Sequence, residues 1–179
     1  MKRRALFLIL AAGFAACGGN LAEPTGEGYR DLAADEIITG VRYSPTEDGV
    51  RKALGVFDTV YVFRDSSTFH LRGVKLEIFG VEGRRAANVT STSGRLNTAT
   101  EAMTAIGSVV LITPAGVRIE TEELHYDPNT HRIWSDVTTR RIMPDGKEAI
   151  ADSFTADDQF TKVDFTRLRG DVTGLEMRF

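Results

Sequence analysis

Through the middle of this chain the apolar residues recur at every second position. Val74, Leu76 and Ile78 alternate with Lys75 and Glu77, and Val117, Ile119 and Thr121 alternate with Arg118, Glu120 and Glu122. In a neighbouring run Met103, Ala105, Gly107, Val109 and Leu111 share one face. Successive side chains of a strand point to opposite sides, so this spacing predicts antiparallel strands with one face toward a core and one toward water. No window of Met103–Ile142 has helical spacing.

Turn signals divide the runs. Ser44–Gly49, Arg64–Ser67, Gly80–Gly83, Ser93-Gly94, Pro114-Ala115-Gly116, Asp127-Pro128-Asn129 and Met143–Gly146 carry the residues that tight turns favour. The strands between them are predicted at Ile37–Tyr43, Val56–Phe63, Leu71–Phe79, Ala86–Thr92, Leu96–Glu101, three in Met103–Ile142, then Ala149–Phe154, Gln159–Phe165 and Arg167–Val172. In Val56–Phe63, Phe57, Thr59, Tyr61 and Phe63 fall on one face and Val60 and Val62 on the other, so both sides are apolar. Many short strands at this spacing make an all-β domain: a sandwich, a barrel or a rolled sheet.

The first residues follow another pattern. Lys2, Arg3 and Arg4 precede the apolar run Ala5–Ala16, a charged-then-apolar layout that predicts a secretory signal over 1–16. The run is too short to cross ~30 Å of hydrocarbon as a helix. It ends Phe14-Ala15-Ala16-Cys17-Gly18-Gly19, similar to a bacterial lipobox, although Phe14 stands where Leu is usual. Cys17 is therefore the candidate lipid anchor, against the plainer alternative of a cleaved signal with an incidental cysteine. Being the sole cysteine, it has no disulfide partner within the chain. Residues 17–34 are glycine-rich and acidic without apolar periodicity, which predicts a flexible tether, with a short helical turn near Tyr29–Ala34 an option. Residues 35–179 are left as one folded domain, of a size that buries roughly two thirds of its unfolded surface.

Charge excludes one class of partner. With 179 residues, a net charge of −3 and 26% charged residues, the chain lacks the clustered basic excess of a nucleic-acid binder. No P-loop, dinucleotide glycine motif, GxSxG or HExxH occurs, and nothing implies a cofactor. His125 and His131 flank the Asp127–Thr130 turn in a way that imitates a metal site, but beside a turn they read as polar surface, and no metal is assigned. Glu120, Glu122, Glu123, Asp157 and Asp158 are candidate acid–base groups by type, yet Glu120 and Glu122 share the solvated face with Arg118 and predict a surface ladder. Trp134 reads as packing, and Asn88-Val89-Thr90 as a chance sequon.

One constellation resembles a known family. Ala105, Gly107 and Val109, the turn at Gly116, then Val117, Ile119, Thr121, Leu124, Tyr126 and Asp127, and finally Ile133, Ser135 and Asp136 are similar to the LptC/OstA-type repeat. The Gly-Val-Arg-Tyr strand ending at Tyr43, with Asp48-Gly49 after it, resembles the opening of LptC-family domains, and the likeness runs from about Asp35 to about Gly174. The resemblance implies a twisted antiparallel β-jellyroll without enzymatic activity, anchored at the inner membrane and facing the periplasm. It also implies lipopolysaccharide as cargo, LptF/LptG-like permease domains of an ABC transporter as donor, and an LptA-like bridge protein as acceptor. On that reading Val74, Leu76, Ile78, Val109, Leu111, Val117 and Ile119 line an apolar interior. The N-terminal edge (Ile37, Val41, Tyr43) meets the transporter and the C-terminal edge (Phe165, Leu168, Val172) meets the bridge. Arg167 and Arg169 on the last strand either guard that edge or attract lipid phosphates. The chain departs from the family where a G-x-G-F-like segment is usual: Ala151-Asp152-Ser153-Phe154 implies a different local backbone.

Periodicity leaves a filled core and an acyl-chain groove equally open, since both need apolar inward faces. The rivals are accordingly an LptA/OstA-like bridge protein and a structural β-rich surface lipoprotein with no lipid ligand.

Overall fold

The computed structural model describes residues 34–171 apart from 65, 81 and 82. Every regular element among them is a strand: β1 (Glu36–Tyr43), β2 (Thr46–Glu47), β3 (Val50–Arg51), β4 (Ala53–Val62), β5 (Thr68–Phe79), β6 (Arg85–Asn97), β7 (Met103–Ile112), β8 (Arg118–Asp127), β9 (Arg132–Ser135), β10 (Thr139–Ile142), β11 (Glu148–Ala151), β12 (Ser153–Asp157), β13 (Val163–Thr166) and β14 (Arg169–Gly170). The predicted signal, Cys17, nearly all of the tether and Val172 lie outside the described residues.

β2 and β3 make a separate ribbon, and the other strands form one 12-stranded antiparallel sheet that runs β1-β4-β5-β6-β7-β8. At β8 the sheet forks. Arg118–Thr121 pairs with β10, whereas His125–Asp127 pairs with β9. One leaf continues from β10 to β11 and β14, the other from β9 to β12 and β13, and the sheet does not close on itself. This is an all-β antiparallel sheet, as the alternation predicts, and the jellyroll that the resemblance implies.

Local phase explains how the roll curves. In β5, Val74, Leu76 and Ile78 are buried and Lys75 is exposed, as the spacing predicts, but on the other side of Gly73 the buried residue is Leu71. The inward set changes parity at Gly73, whose φ is +60°. A left-handed residue in mid-strand turns the strand about its axis, so one face stays inward across a bend. Only glycine fits here, because a Cβ would lie 1.9 Å from Asp58 Oδ2 as well as straining the backbone. The irregularity crosses the whole sheet. Gly40 (φ +63°) lies opposite Asp58, and β7 inserts one extra residue at Gly107-Ser108 opposite Glu122, a β-bulge in which Ser108 N–H donates to Glu122 Oε2 at 3.4 Å. The line continues through Asp152 and Arg167 (φ +52°). Buried side chains gather into two clusters, a larger one from Leu76, Val89, Leu111, Ile119, Ile133 and Phe154, and a smaller one from Phe57, Val60, Leu71, Val74 and Leu96.

The same line corrects several sequence expectations. No turn occurs at Ser93-Gly94: β6 runs unbroken to Asn97, and the reversal falls at Thr98–Glu101. Gly94 is there because a Cβ would sit 2.8 Å from the Thr104 carbonyl oxygen. In β4, Val60 and Tyr61 are both buried, so both sides of the strand are covered, but Phe57 and Val60 share one cluster, which shows the phase shifting at Asp58. Gln159 lies in a turn, and the segment expected as one strand over Arg167–Val172 is only the two-residue β14 among the described residues. Ala151–Phe154 keeps negative φ, and the left-handed residue nearby is Arg167, which follows the cross-strand partner of Ser153.

Candidate functional site: the interior of the roll

The inward residues predicted for a lipid face do converge. Val74, Leu76, Ile78, Val109, Leu111 and Ile119 are buried and Val117 is half-buried. All but Val74 belong to, or pack on, the larger cluster; Val74 sits in the smaller one. Of these, Val74, Leu76 and Ile78, together with Leu71, Val89 and Leu124, border an apolar pocket of about 20 Å³, room for roughly one water molecule. A recess of about 490 Å³ opens at the rim, lined by Tyr43, Lys52, Thr98–Glu101, Asn129, His131 and Asp158. Met103 and Tyr126 line both spaces and form the partition between them. Burial, and secondarily the nearby Glu101 carboxylate, raises the Tyr43 phenol pKa above its ordinary value.

Where the sheet forks, ladder hydrogen bonds are lost and hydroxyls replace them. Thr121, Ser135 and Thr139 are buried polar residues. Thr121 Oγ1 lies 2.9 Å from Ser135 Oγ and donates toward the Thr138 carbonyl at 3.2 Å, while Ser135 and Thr139 hydroxyls reach the Val137 carbonyl at 3.3 and 3.1 Å. Thr121 and Ser135 are two residues of the family-like pattern, and the fork supplies their physical reason.

β10 carries charge on both faces. Outside, Arg118–Glu120–Arg140–Glu148 forms the expected ladder, with nitrogen–oxygen distances of 2.7, 3.2 and 2.8 Å. Hydrogen bonds from Arg140 hold the Glu148 carboxyl below its usual range, and Glu148 in turn raises Arg140. Inside, Arg141 is 5% exposed, and its Nε and Nη2 have no hydrogen-bond partner. The Phe165 ring lies 5.6 Å from its guanidinium carbon. Sequence reading missed Arg141 altogether. The signal was there, since Arg141 shares the inward parity of Thr139 and pairs with Ile119, but a charged residue is rarely assigned to a core.

The histidines do not face one another. His125 stacks on its cross-strand partner Trp134 at 5.0 Å, and His131 Nδ1 contacts Asp158 Oδ2 at 2.8 Å. Backbone N–H of Asn129, first among several donors, holds Asp127 below the usual carboxylate range. No cluster of metal-ligating side chains occurs among the described residues.

The two sheet edges differ. Among the described residues β1 pairs only with β4; Ile37 is exposed, while Val41 and Tyr43 pack on the smaller cluster. The expected C-terminal edge is not one strand, because β13 with Phe165 pairs with β12 and β14 pairs with β11, and Leu168 lies in the break between them. Arg167 and Arg169, both exposed, pair with Asp152, Arg169 at 2.6 Å.

Comparison with known proteins decides the family. Residues 33–147, more than half of the chain, match the LptC family model, described as lipopolysaccharide-assembly, LptC-related. The chain belongs to this family. The match ends at Lys147, short of the Gly174 limit expected from the resemblance, although the sheet continues through β11–β14. No curated protein matches the chain. Among solved structures it is similar to LptH of Pseudomonas aeruginosa, the LptA homologous periplasmic component of the lipopolysaccharide transport device. That likeness has a TM-score of 0.49 and 11% identity, covering 71% of this chain and 89% of that one. Membership of the LptC family gives the chain a role in lipopolysaccharide transport.

Proposed function

We propose that this LptC-family chain is a non-enzymatic, membrane-anchored periplasmic carrier of lipopolysaccharide. Residues 1–16 act as the signal, Cys17 carries the lipid that holds the protein at the inner membrane, and 17–34 tether the jellyroll. The N-terminal edge takes lipid from LptF/LptG-like permease domains of the export transporter, and the C-terminal end passes it to an LptA-like bridge protein. The observation that carries the reading is an open sheet whose inward faces are apolar on both sides of the fork. Each lipid CH₂ taken out of water into such an interior contributes ~0.8 kcal/mol.

A second reading, a structural lipoprotein with a solid core, is favoured by one observation: the pocket bordered by Val74, Leu76 and Ile78 is about 20 Å³. The carrier reading therefore requires the leaves to part when lipid enters. One experiment in cells exporting lipopolysaccharide separates the two. Photo-crosslinking residues at Val109, Leu111 or Ile119 capture lipopolysaccharide and those at Arg118 or Glu120 do not; in the same cells Cys17→Ser moves the protein out of the membrane pellet. Capture equal on both faces, or none, contradicts the carrier, and an unchanged pellet contradicts the anchor.

A further inference from the structure

Among the described residues, Arg141 is an inward-facing group that neither the core nor the fork explains. Its cross-strand neighbours, Ile119 on β8 and Ala149 on β11, are buried and apolar. Phe165, stacked on Phe154 at 5.8 Å, lies against the guanidinium. An aromatic ring at this position leaves the in-plane N–H donors unanswered. Nε and Nη2 are the two nitrogens of a single edge of the guanidinium, the edge that meets a phosphate or carboxylate with two parallel hydrogen bonds. A buried charge with idle donors lowers stability unless something pairs with it. Keeping such a group in an apolar wall is understandable where its partner arrives with a ligand.

We propose that Arg141 is an anion anchor in the interior: it binds the oxyanion, phosphate or carboxylate, of an amphiphile whose hydrocarbon lies along the apolar faces around Ile119. The inference rests on the carrier reading and deepens it, assigning the polar end of the cargo to the β10 leaf. Access runs past Phe165. That residue sits on β13, a four-residue strand whose sole ladder partner among the described residues is β12, so displacing it breaks few hydrogen bonds.

The test is calorimetric titration of the purified full chain with dodecyl phosphate, with neutral dodecyl maltoside and with inorganic phosphate, the amphiphiles below their micelle-forming concentrations. The protein binds dodecyl phosphate more tightly than the maltoside. Arg141→Met weakens dodecyl phosphate by about tenfold to a hundredfold, the range of a charge-assisted hydrogen-bonded pair, and leaves the maltoside unchanged. Arg141→Lys, which keeps the charge and loses the fork, falls between. Arg141→Met also holds or raises the unfolding midpoint, which a guanidinium retained for structure would not allow. Unchanged dodecyl phosphate binding by Arg141→Met overturns the anchor and leaves a guanidinium solvated by water. Arg141-dependent binding of inorganic phosphate as tight as that of dodecyl phosphate overturns the amphiphile in favour of a free-anion site. Equal binding of both amphiphiles sinks the anchor but spares the carrier; no binding of either sinks both.

Discussion

On the outer face of β10, Arg140 is exposed and makes three hydrogen bonds to Glu120 and Glu148, at 3.2, 3.0 and 2.8 Å. On the inner face the next residue, Arg141, is buried with Nε and Nη2 unpaired. Two residues earlier on that same inner face, Thr139 is fully buried and hydrogen-bonded. Ion pairs are thus made where water already solvates the charges and contribute least, and are absent where an unpaired charge costs most. The fork hydroxyls show that this interior satisfies polar groups when folding requires it. Arg141 is an exception to a rule its neighbours obey, which separates polar groups that hold the fork from a group held ready for a ligand.

That contrast predicts opposite signs for substitutions close together in space. Thr121→Val or Ser135→Ala leaves a buried hydroxyl or carbonyl without its partner, and each lowers unfolding free energy by about 1–3 kcal/mol in denaturant titrations. A loss under a few tenths of a kcal/mol for both would mean the fork does not depend on them. Arg141→Met leaves stability unchanged or raises it by about 1 kcal/mol or more, because an apolar side chain of similar volume replaces an uncompensated charge. A loss comparable to that of Thr121→Val would erase the distinction.

The outer ladder gives the smallest effect, and it depends on pH. Glu148 has a folded pKa below its unfolded value, so its contribution is present above the ordinary glutamate range and is lost as pH falls through the folded value. Arg140→Gln should lower the thermal midpoint slightly at neutral pH, and the difference from the parent protein should vanish in acid. A difference of the same size in acid would assign it to packing of the Arg140 stem instead.

How far the sequence carried this account depended on phase. Wherever alternation ran uninterrupted, as in Val74–Ile78 and Val117–Thr121, strand, facing and burial were legible, because period two is a local property. The fold class followed from the same spacing. What was illegible is the line through Gly40, Asp58, Gly73, Gly107 and Asp152, where bends re-phase each strand. Gly94 looks like a turn because glycine signals turns locally, whereas its cause is the Thr104 carbonyl packed against it from the next strand. The break in the C-terminal edge is illegible for a similar reason: pairing partners on two different leaves leave no trace in FTRLRGDV. Arg141 stayed hidden because inward parity had been assigned to apolar residues only.

The central claim is that the interior opens to receive acyl chains, and the distance between the two leaves tests it most directly. In a Cys17→Ser background, spin labels at Ile150 on β11 and Asp164 on β13 occupy exposed sites, one on each leaf. Pulsed electron paramagnetic resonance then reports their separation with and without lipopolysaccharide. A pocket of about 20 Å³ has no room for an acyl chain, so lipid entering there is expected to shift the distribution to longer distances. An unchanged distribution at saturating lipopolysaccharide contradicts the account and leaves a solid-core lipoprotein.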